Sequence, residues 1–313
     1  MPYAGDLHTN QPLTNVSIKY ADGNLMELIG DKVFPAVGVK KESDTYYVYD
    51  RSGLQVPQTV RADGAEANEV NWGVSTSSYS LTEHALRELV TDRARNNQDA
   101  PLDLDVDTTE NITSRILLRR ERDIATAVLT TTSFGQTHAA GAAWTSLTTT
   151  TNIVADINTA CAHVMRLAGV KPNTMVIPFQ SYWGAATEQP NIIEKIKYSE
   201  RAVITADLIG SIFDIDRVLV GRSVYDASKE LVETTTSLTY IWDGNTFVGY
   251  VSPSPGIRKV SAGYTLQLNA KGIPYKTKKW REEKRGGDLI EVSTMYQPKA
   301  VATLCGYLIT GTD

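Results

Sequence analysis

One stretch of this chain restricts its folding more than any other: residues 33–90. It holds two strand-like runs, 33–50 and 69–89, joined by a polar tip at 51–68. In the first run Tyr47 and Tyr49 fall on one face, with Tyr46 and Val48 on the other. Period-two spacing of β-branched and aromatic residues is a strand signal. The tip carries Gly53, Pro57 and Gly64 and few large side chains. A two-stranded ribbon of this length has no core of its own and is marginal alone in water. It must pack on the rest of the chain or on a neighbouring subunit. The second choice makes the chain an assembly protein.

The remaining sequence narrows the choice. The chain has 313 residues, enough for one large domain or two ordinary ones. Hydrophobic residues make up 42% and charged residues 21%, which is globular rather than disordered composition. No run of 18 apolar residues exists, so no helical membrane span is expected. The start, Met1-Pro-Tyr-Ala-Gly-Asp6, lacks the basic and apolar regions of a secretory signal. Cys161 and Cys305 lie far apart on apolar runs and read as buried thiols rather than a bridge. The net charge of −5 argues against a protein that clamps nucleic acid, because neutralising phosphates needs a clustered positive surface. It leaves room for a container that holds DNA without trapping it.

Residues 1–32 read as a polar arm with a short helical turn near 25–29. After the ribbon, a link rich in Asp, Asn and Pro (91–101) leads to the strongest helix, expected at about 107–130. Asp103, Asp105, Asp107 and Glu110 crowd its start, where negative charge complements the helix dipole. Ile112, Ile116, Leu117, Ile124 and Val128 form its apolar stripe, flanked by Arg115, Arg119, Arg120 and Arg122. Residues 131–151 are almost all Thr, Ser, Gly and Ala around Trp144, a composition shift that marks a domain crossing. Asn152 can cap a second helix that ends at Gly169. A buried strand at 174–177, helices at 191–198 and 206–213, and a strand at 217–220 follow. Asp243-Gly244-Asn245 between 240–242 and 247–251 signals a hairpin. Residues 152–251 thus read as an α/β domain. Strands are expected at 264–268, 275–281, 289–295 and 300–309. A long helix before the α/β domain and long strands after it would pair into one layer, with the domain inserted between them.

Catalytic and metal-binding patterns are scarce. None of His8, His84, His138 and His163 lies within four residues of another or near a cysteine at ligand spacing, so no zinc pattern exists. Asp103-Leu-Asp105-Val-Asp107 begins like a calcium loop, but Thr108 and Ser114 stand where Gly and Glu are required. Acidic residues at a helix start explain it. Gly-rich nucleotide loops and the Gly-x-Ser-x-Gly elbow are absent. Lys276, Lys278, Lys279, Arg281, Lys284 and Arg285 surround Trp280, a composition that can bind single strands by charge and stacking. Glu282 and Glu283 interrupt it. The simpler account is a solvated strand pair whose charges meet a neighbouring subunit.

Taken in order, these elements resemble the major capsid proteins of tailed bacteriophages, the fold named after phage HK ninety-seven. The most similar segments are Asp31-Lys-Val-Phe-Pro-Ala-Val-Gly-Val39 leading into Tyr46-Tyr-Val-Tyr49, then Ser78-Tyr-Ser-Leu-Thr-Glu-His84. Leu117-Leu-Arg-Arg-Glu121, Thr174-Met-Val-Ile-Pro178 and Val301-Ala-Thr-Leu-Cys-Gly-Tyr-Leu308 add to it. The resemblance implies an α+β capsid fold. Residues 1–32 would be the N-arm and 33–90 the extended loop. Residues 91–145 and 255–313 would form the peripheral domain around the spine helix, and 146–254 the inserted axial domain. It further implies hexamers and pentamers of an icosahedral shell around double-stranded DNA, contacted non-specifically. The shell would form in the host cytoplasm and end as the virion capsid, with portal and decoration proteins and a separate scaffolding protein. No cofactor, metal, membrane or catalytic residue is implied. The residues expected to carry function are Tyr46, Tyr47, Val48 and Tyr49 as interface anchors, with Arg51, Arg61 and Glu66 as polar contacts near the tip. An encapsulin-like compartment of the same fold is the alternative. A soluble hydrolase, disfavoured by the missing motifs, would need a deep polar pocket.

Overall fold

The computed structural model describes residues 28–49, 54–71, 73–97, 103–146, 152–187, 189–196, 204–228, 237–256, 259–268 and 274–313. Nearly all of the expected arm lies outside these residues, as do Arg51 and the last part of the link. The chain opens with α1 (Gly30–Val33), β1 (Ala36–Val39) and β2 (Ser43–Tyr49). Next come β3 (Val74–Ser80), β4 (Thr82–Thr91), α2 (Asp92–Asn96), the long helix α3 (Leu104–Leu129), α4 (Thr131–Phe134) and β5 (Thr137–Ala139). The central part holds α5 (Ile153–Ala168), β6 (Thr174–Pro178), α6 (Phe179–Thr187), α7 (Pro190–Ile196), α8 (Ala206–Phe213) and β7 (Arg217–Gly221). It continues with β8 (Val224–Asp226), β9 (Leu238–Tyr240) and β10 (Asn245–Gly249). β11 (Gly263–Leu268), β12 (Lys276–Glu282), β13 (Gly287–Ala300) and β14 (Gly306–Thr310) close it.

The first sheet is built on β13. One edge of β13 pairs antiparallel with all of β4. Its other edge pairs with β12 and then β11, and β1 lies parallel on β11. Helix α3 packs across this sheet through the buried Ile112, Ile116 and Leu117, while Ile124 and Val128, also buried, join a cluster with Val176, Phe247 and Leu308 of β6, β10 and β14. The helix starts earlier than its apolar pattern suggests, because Asp103 Oδ1 accepts from the backbone N–H groups of Asp105 and Val106. Arg120, expected on the flank, is only 4% exposed. Its guanidinium donates to Asp31 at 2.6 Å and to Gln267 at 3.1 Å, and lies 5.4 Å above the Tyr296 ring.

The two long strand runs break into shorter pieces. Val33 ends a helical turn, and Phe34 is fully buried before β1 begins. Thr265 fixes that break by donating its hydroxyl to Phe34 O and its amide to Pro35 O. The ribbon proper is β2 with β3, while β1 and β4 belong to the first sheet.

The second sheet runs β5-β14-β10-β6-β7 among the described residues. Asn152 Oδ1 caps α5 by accepting from Ala155 N, and Gly169 ends it at φ 68°. β6 is buried along its whole length, as its continuous apolar sequence suggests. Two expectations fail here. Residues 240–242 and 247–251 form no hairpin: β9 pairs with β8, and β10 enters the sheet between β14 and β6. The chain does turn at Gly244 (φ 78°), but Trp242 is drawn into the core beside it. The last strand also divides. β13 stops at Ala300, and β14 joins the second sheet instead of the layer under α3. Helix α6 lacks a clear apolar period and was not expected.

The two sheets meet at a buried carboxylate. Glu121 accepts from the backbone amides of Ile29 at 2.9 Å and Gly30 at 2.8 Å, and from the Trp242 indole at 2.6 Å. Burial pushes its pKa up, against the pull of these three donors. Only glycine fits at position 30, since a Cβ there would lie 2.6 Å from Glu121 Oε2. Glu121→Ala leaves three buried donors unpaired and should lower the unfolding free energy by about 3 kcal/mol or more. Urea unfolding followed by tryptophan fluorescence measures this.

A second carboxyl pair fastens residue 313 to the turn before β10. Asp313 accepts from Gly244 N at 2.9 Å, from Ser181 N at 3.2 Å and from the Ser181 hydroxyl. Hydrogen bonding to Asp313, with burial and the neighbouring charge, pushes the Asp243 pKa up to about 6. A carboxyl pKa raised by folding stabilises the fold fully at low pH, and that contribution disappears as pH rises through about 6. Asp243→Asn should therefore flatten the fall in stability between pH 4 and 6, read from thermal midpoints across that range.

Candidate assembly interface

β2 and β3 pair antiparallel from Ser43 with Ser80 to Tyr49 with Val74, and form a two-stranded sheet. The root of this ribbon is held firmly. Tyr79 and Leu81 pack on Val37, Val39, Tyr264 and Leu266. Ser80 N donates to Gln297 Oε1 at 3.0 Å. Lys299 Nζ donates to the Ser77 hydroxyl at 3.2 Å and to Ser78 O, and sits 5.4 Å from the Tyr46 ring centroid. Beyond that root, little of the ribbon is covered.

The expected anchors separate by face. Tyr46 and Val48 are half-buried, whereas Tyr47 is 71% exposed. The Tyr49 backbone is paired, but its side chain lies outside the described residues, with Arg51. At the tip, Arg61 Nε donates to Ala65 O and Asn68 Nδ2 to Gln58 O, so the loop closes on itself around Gly64 (φ 77°). Glu66 is exposed. The tip and the residues just after it are more apolar at their surface than a polar loop should be. Leu54, Val56, Val60 and Val70 are each more than 60% exposed, and Val56 reaches 95%. Sequence reading passed over these four because each stands alone among polar neighbours. Their common exposure on one loop is what marks them.

Other candidates resolve into structural roles. Three members of the basic cluster near Trp280, Lys278, Lys279 and Arg281, meet acids of their own chain. Arg281 grips Asp92 through two hydrogen bonds, at 2.6 and 2.7 Å. Lys279 pairs with Asp105 at 2.6 Å, and Lys278 with Glu291 at 3.3 Å. These pairs join β12 to α2, α3 and β13, so Asp105 is held by cations of its own chain. His84 stacks on Tyr296 at 4.3 Å, and His138 lies 3.4 Å from Asp156. No three His, Cys, Asp or Glu side chains among the described residues could hold a metal ion. Both cysteines are free thiols, with pKa pushed up to about 11 by burial. An open cleft of about 250 Å³ lies between α5 and α8, lined chiefly by Cys161, Met165, Pro172 and Phe213. Lys171 and Asp214, also in its lining, pair with each other at 2.6 Å.

A long helix on one sheet, an α/β sheet inserted before the later strands, and a ribbon without a core together define the α+β fold of phage capsid subunits. Comparison with known proteins agrees. No protein-family model matches the chain. Its sequence is 28% identical over 307 residues to the major capsid protein of Burkholderia phage BcepMu, covering 96% of this chain and 95% of that one. A phage-related protein of Bordetella bronchiseptica RB50 shares the fold at a TM-score of 0.76 and 20% identity, with 98% of both chains covered. The capsid of cyanophage P-SCSP1u aligns at 0.60 and 11% identity, covering 88% and 86%. Replacing Lys299 and Gln297 by alanine should loosen the root. Amide exchange across Val74–Ser80 should quicken at least about tenfold, while the global unfolding midpoint moves little.

Proposed function

We propose that this chain is the major capsid protein of a tailed phage, building an icosahedral shell around double-stranded DNA. The observation that carries the reading is the ribbon: a rigidly rooted β2–β3 blade with an exposed apolar tip, on a chain resembling a phage capsid protein over nearly all of its length. A blade of this kind gains its missing contacts only from another molecule. Function then resides in interfaces, with one chain repeated under closed symmetry. Residues 146–254 act as the axial domain, gathered around five-fold and six-fold axes, and α3 with the first sheet as the peripheral domain. Tyr46, Tyr47, Val48 and Tyr49, with Arg51, Arg61 and Glu66, contact the adjacent copy, joined by Leu54, Val56, Val60 and Val70. Scaffolding, portal and decoration proteins are the expected partners, and the packaged DNA is touched without sequence preference. The sequence relation runs to a phage capsid protein, which places this reading ahead of a cargo compartment of the same fold.

Deleting residues 51–68 should leave a folded, soluble chain that no longer closes shells. Sedimentation and negative-stain imaging of wild type and deletion, each expressed with its scaffold, test this. Normal particles from the deletion would remove the ribbon from the mechanism. A wild-type chain that stays monomeric under every assembly condition would remove the shell reading itself.

A further inference from the structure

The ribbon tip meets the second sheet's helices at one point. Leu54 Cδ1 and Cδ2 lie 3.5 and 3.8 Å from where a Cβ on Gly169 would stand. Gly169 is the C-cap of α5. Cys161, Met165 and Gly169 follow one another at intervals of four, so they form one row along that helix. Cys161 and Met165 line the cleft of about 250 Å³ between α5 and α8, and Lys171 and Pro172, just past Gly169, line it too. Leu54 therefore stands at the end of the cleft, one helical turn beyond Met165.

Cleft and tip match in chemistry. Cys161, Ala162, Met165, Pro172 and Phe213 make the lining chiefly apolar. Met165 is 51% exposed and Leu54 is 65% exposed, so two apolar side chains stand partly in water close to each other. A cavity of about 150 Å³ holds a benzene ring, so the cleft has room for a leucine side chain.

We infer that this cleft holds Leu54 of the same chain in the free subunit, as a strap that slows the joining of copies, and gives it up on assembly. The occupant is selected by connection. The ribbon's root is held by Gln297 and Lys299 of the same chain, and the tip it carries already touches Gly169. Val56, Val60 and Val70 stay uncovered, so the strap withholds one anchor rather than the whole blade. A neighbour that takes Leu54 must first replace the contacts it leaves behind. Two free copies do so slowly. A growing shell, which offers several contacts at once, draws the tip out.

The assembly half of this inference rests on the shell reading; the contact itself does not. The full chain is prepared as Leu54→Cys, with Leu54→Cys/Cys161→Ala as control, and treated with a short bismaleimide before and after assembly with its scaffold. Cys161 lies two turns from Gly169, about 12 Å along the helix, so a reagent shorter than that joins residues 54 and 161 only when the tip is inside the cleft. Burial makes the Cys161 thiol slow to react, so an arm already tethered at residue 54 captures it. Free chains should give an intrachain link, read by intact mass and peptide mapping, that falls at least about tenfold in particles. Met165→Gln, which makes the half-exposed lining polar, should shorten the lag before assembly at least about threefold. Free chains without the link, particles that keep it, links only between chains, or an unshortened lag would each overturn the inference and leave the shell reading standing. If the link forms but wild-type particles never do, the shell reading falls and the parked tip stands.

Discussion

The structure depends on one buried charge. Glu121 sits about two-thirds of the way along a helix of 26 residues and reaches both the entering chain at Ile29 and Gly30 and the indole of Trp242. A carboxylate taken out of water is costly unless its oxygens are matched by donors. Here the donors come from segments 92 and 121 residues away in sequence. The three partners are correct together or not at all, so the entry of the chain and the placement of the second sheet are settled by one group. Arg120 performs the neighbouring task, tying Asp31 to Gln267 on β11. Successive residues of one helix thus fix the chain's entry from two directions.

With the interior held so tightly, the ribbon is the contrast. Its root is anchored by Gln297 and Lys299 at the end of β13, the strand on which the first sheet is built. Its far end is covered by nothing comparable. A stiff base with an open blade leaves an apolar surface exposed, although Leu54 at its near end lies beside Gly169 of α5. That division of labour suits a molecule whose remaining contacts come from its neighbours.

Much of this was legible in the sequence wherever periodicity and capping agree. The stripe on α3, the Asn152 and Gly169 ends of α5 and the buried run of β6 follow directly from residue spacing. What stayed hidden depends on distant residues. Asp-Gly-Asn at 243–245 reads as a hairpin, and only the burial of Trp242 against Gly221 and Glu121 sends the two flanks into different sheets. Arg120 looks like a surface residue until Asp31 and Gln267 surround it. The apolar tip residues were illegible for a different reason: isolated Leu and Val in a polar loop carry no pattern until their exposure is known. Within the site, Tyr46, Tyr47 and Val48 separate by face in the way their alternation suggests.

The position of β14 has a consequence for how the molecule is made. It lies inside the second sheet, between β5 and β10, although it is the last strand described. During synthesis, β10 and β6 emerge with one inner edge still bare and wait for residues 306–310. A nascent chain released early would expose that edge in the middle of its core. Completion of the second sheet is therefore coupled to translation of β14. A truncated subunit would be excluded by its own misfolding before it could spoil a larger structure.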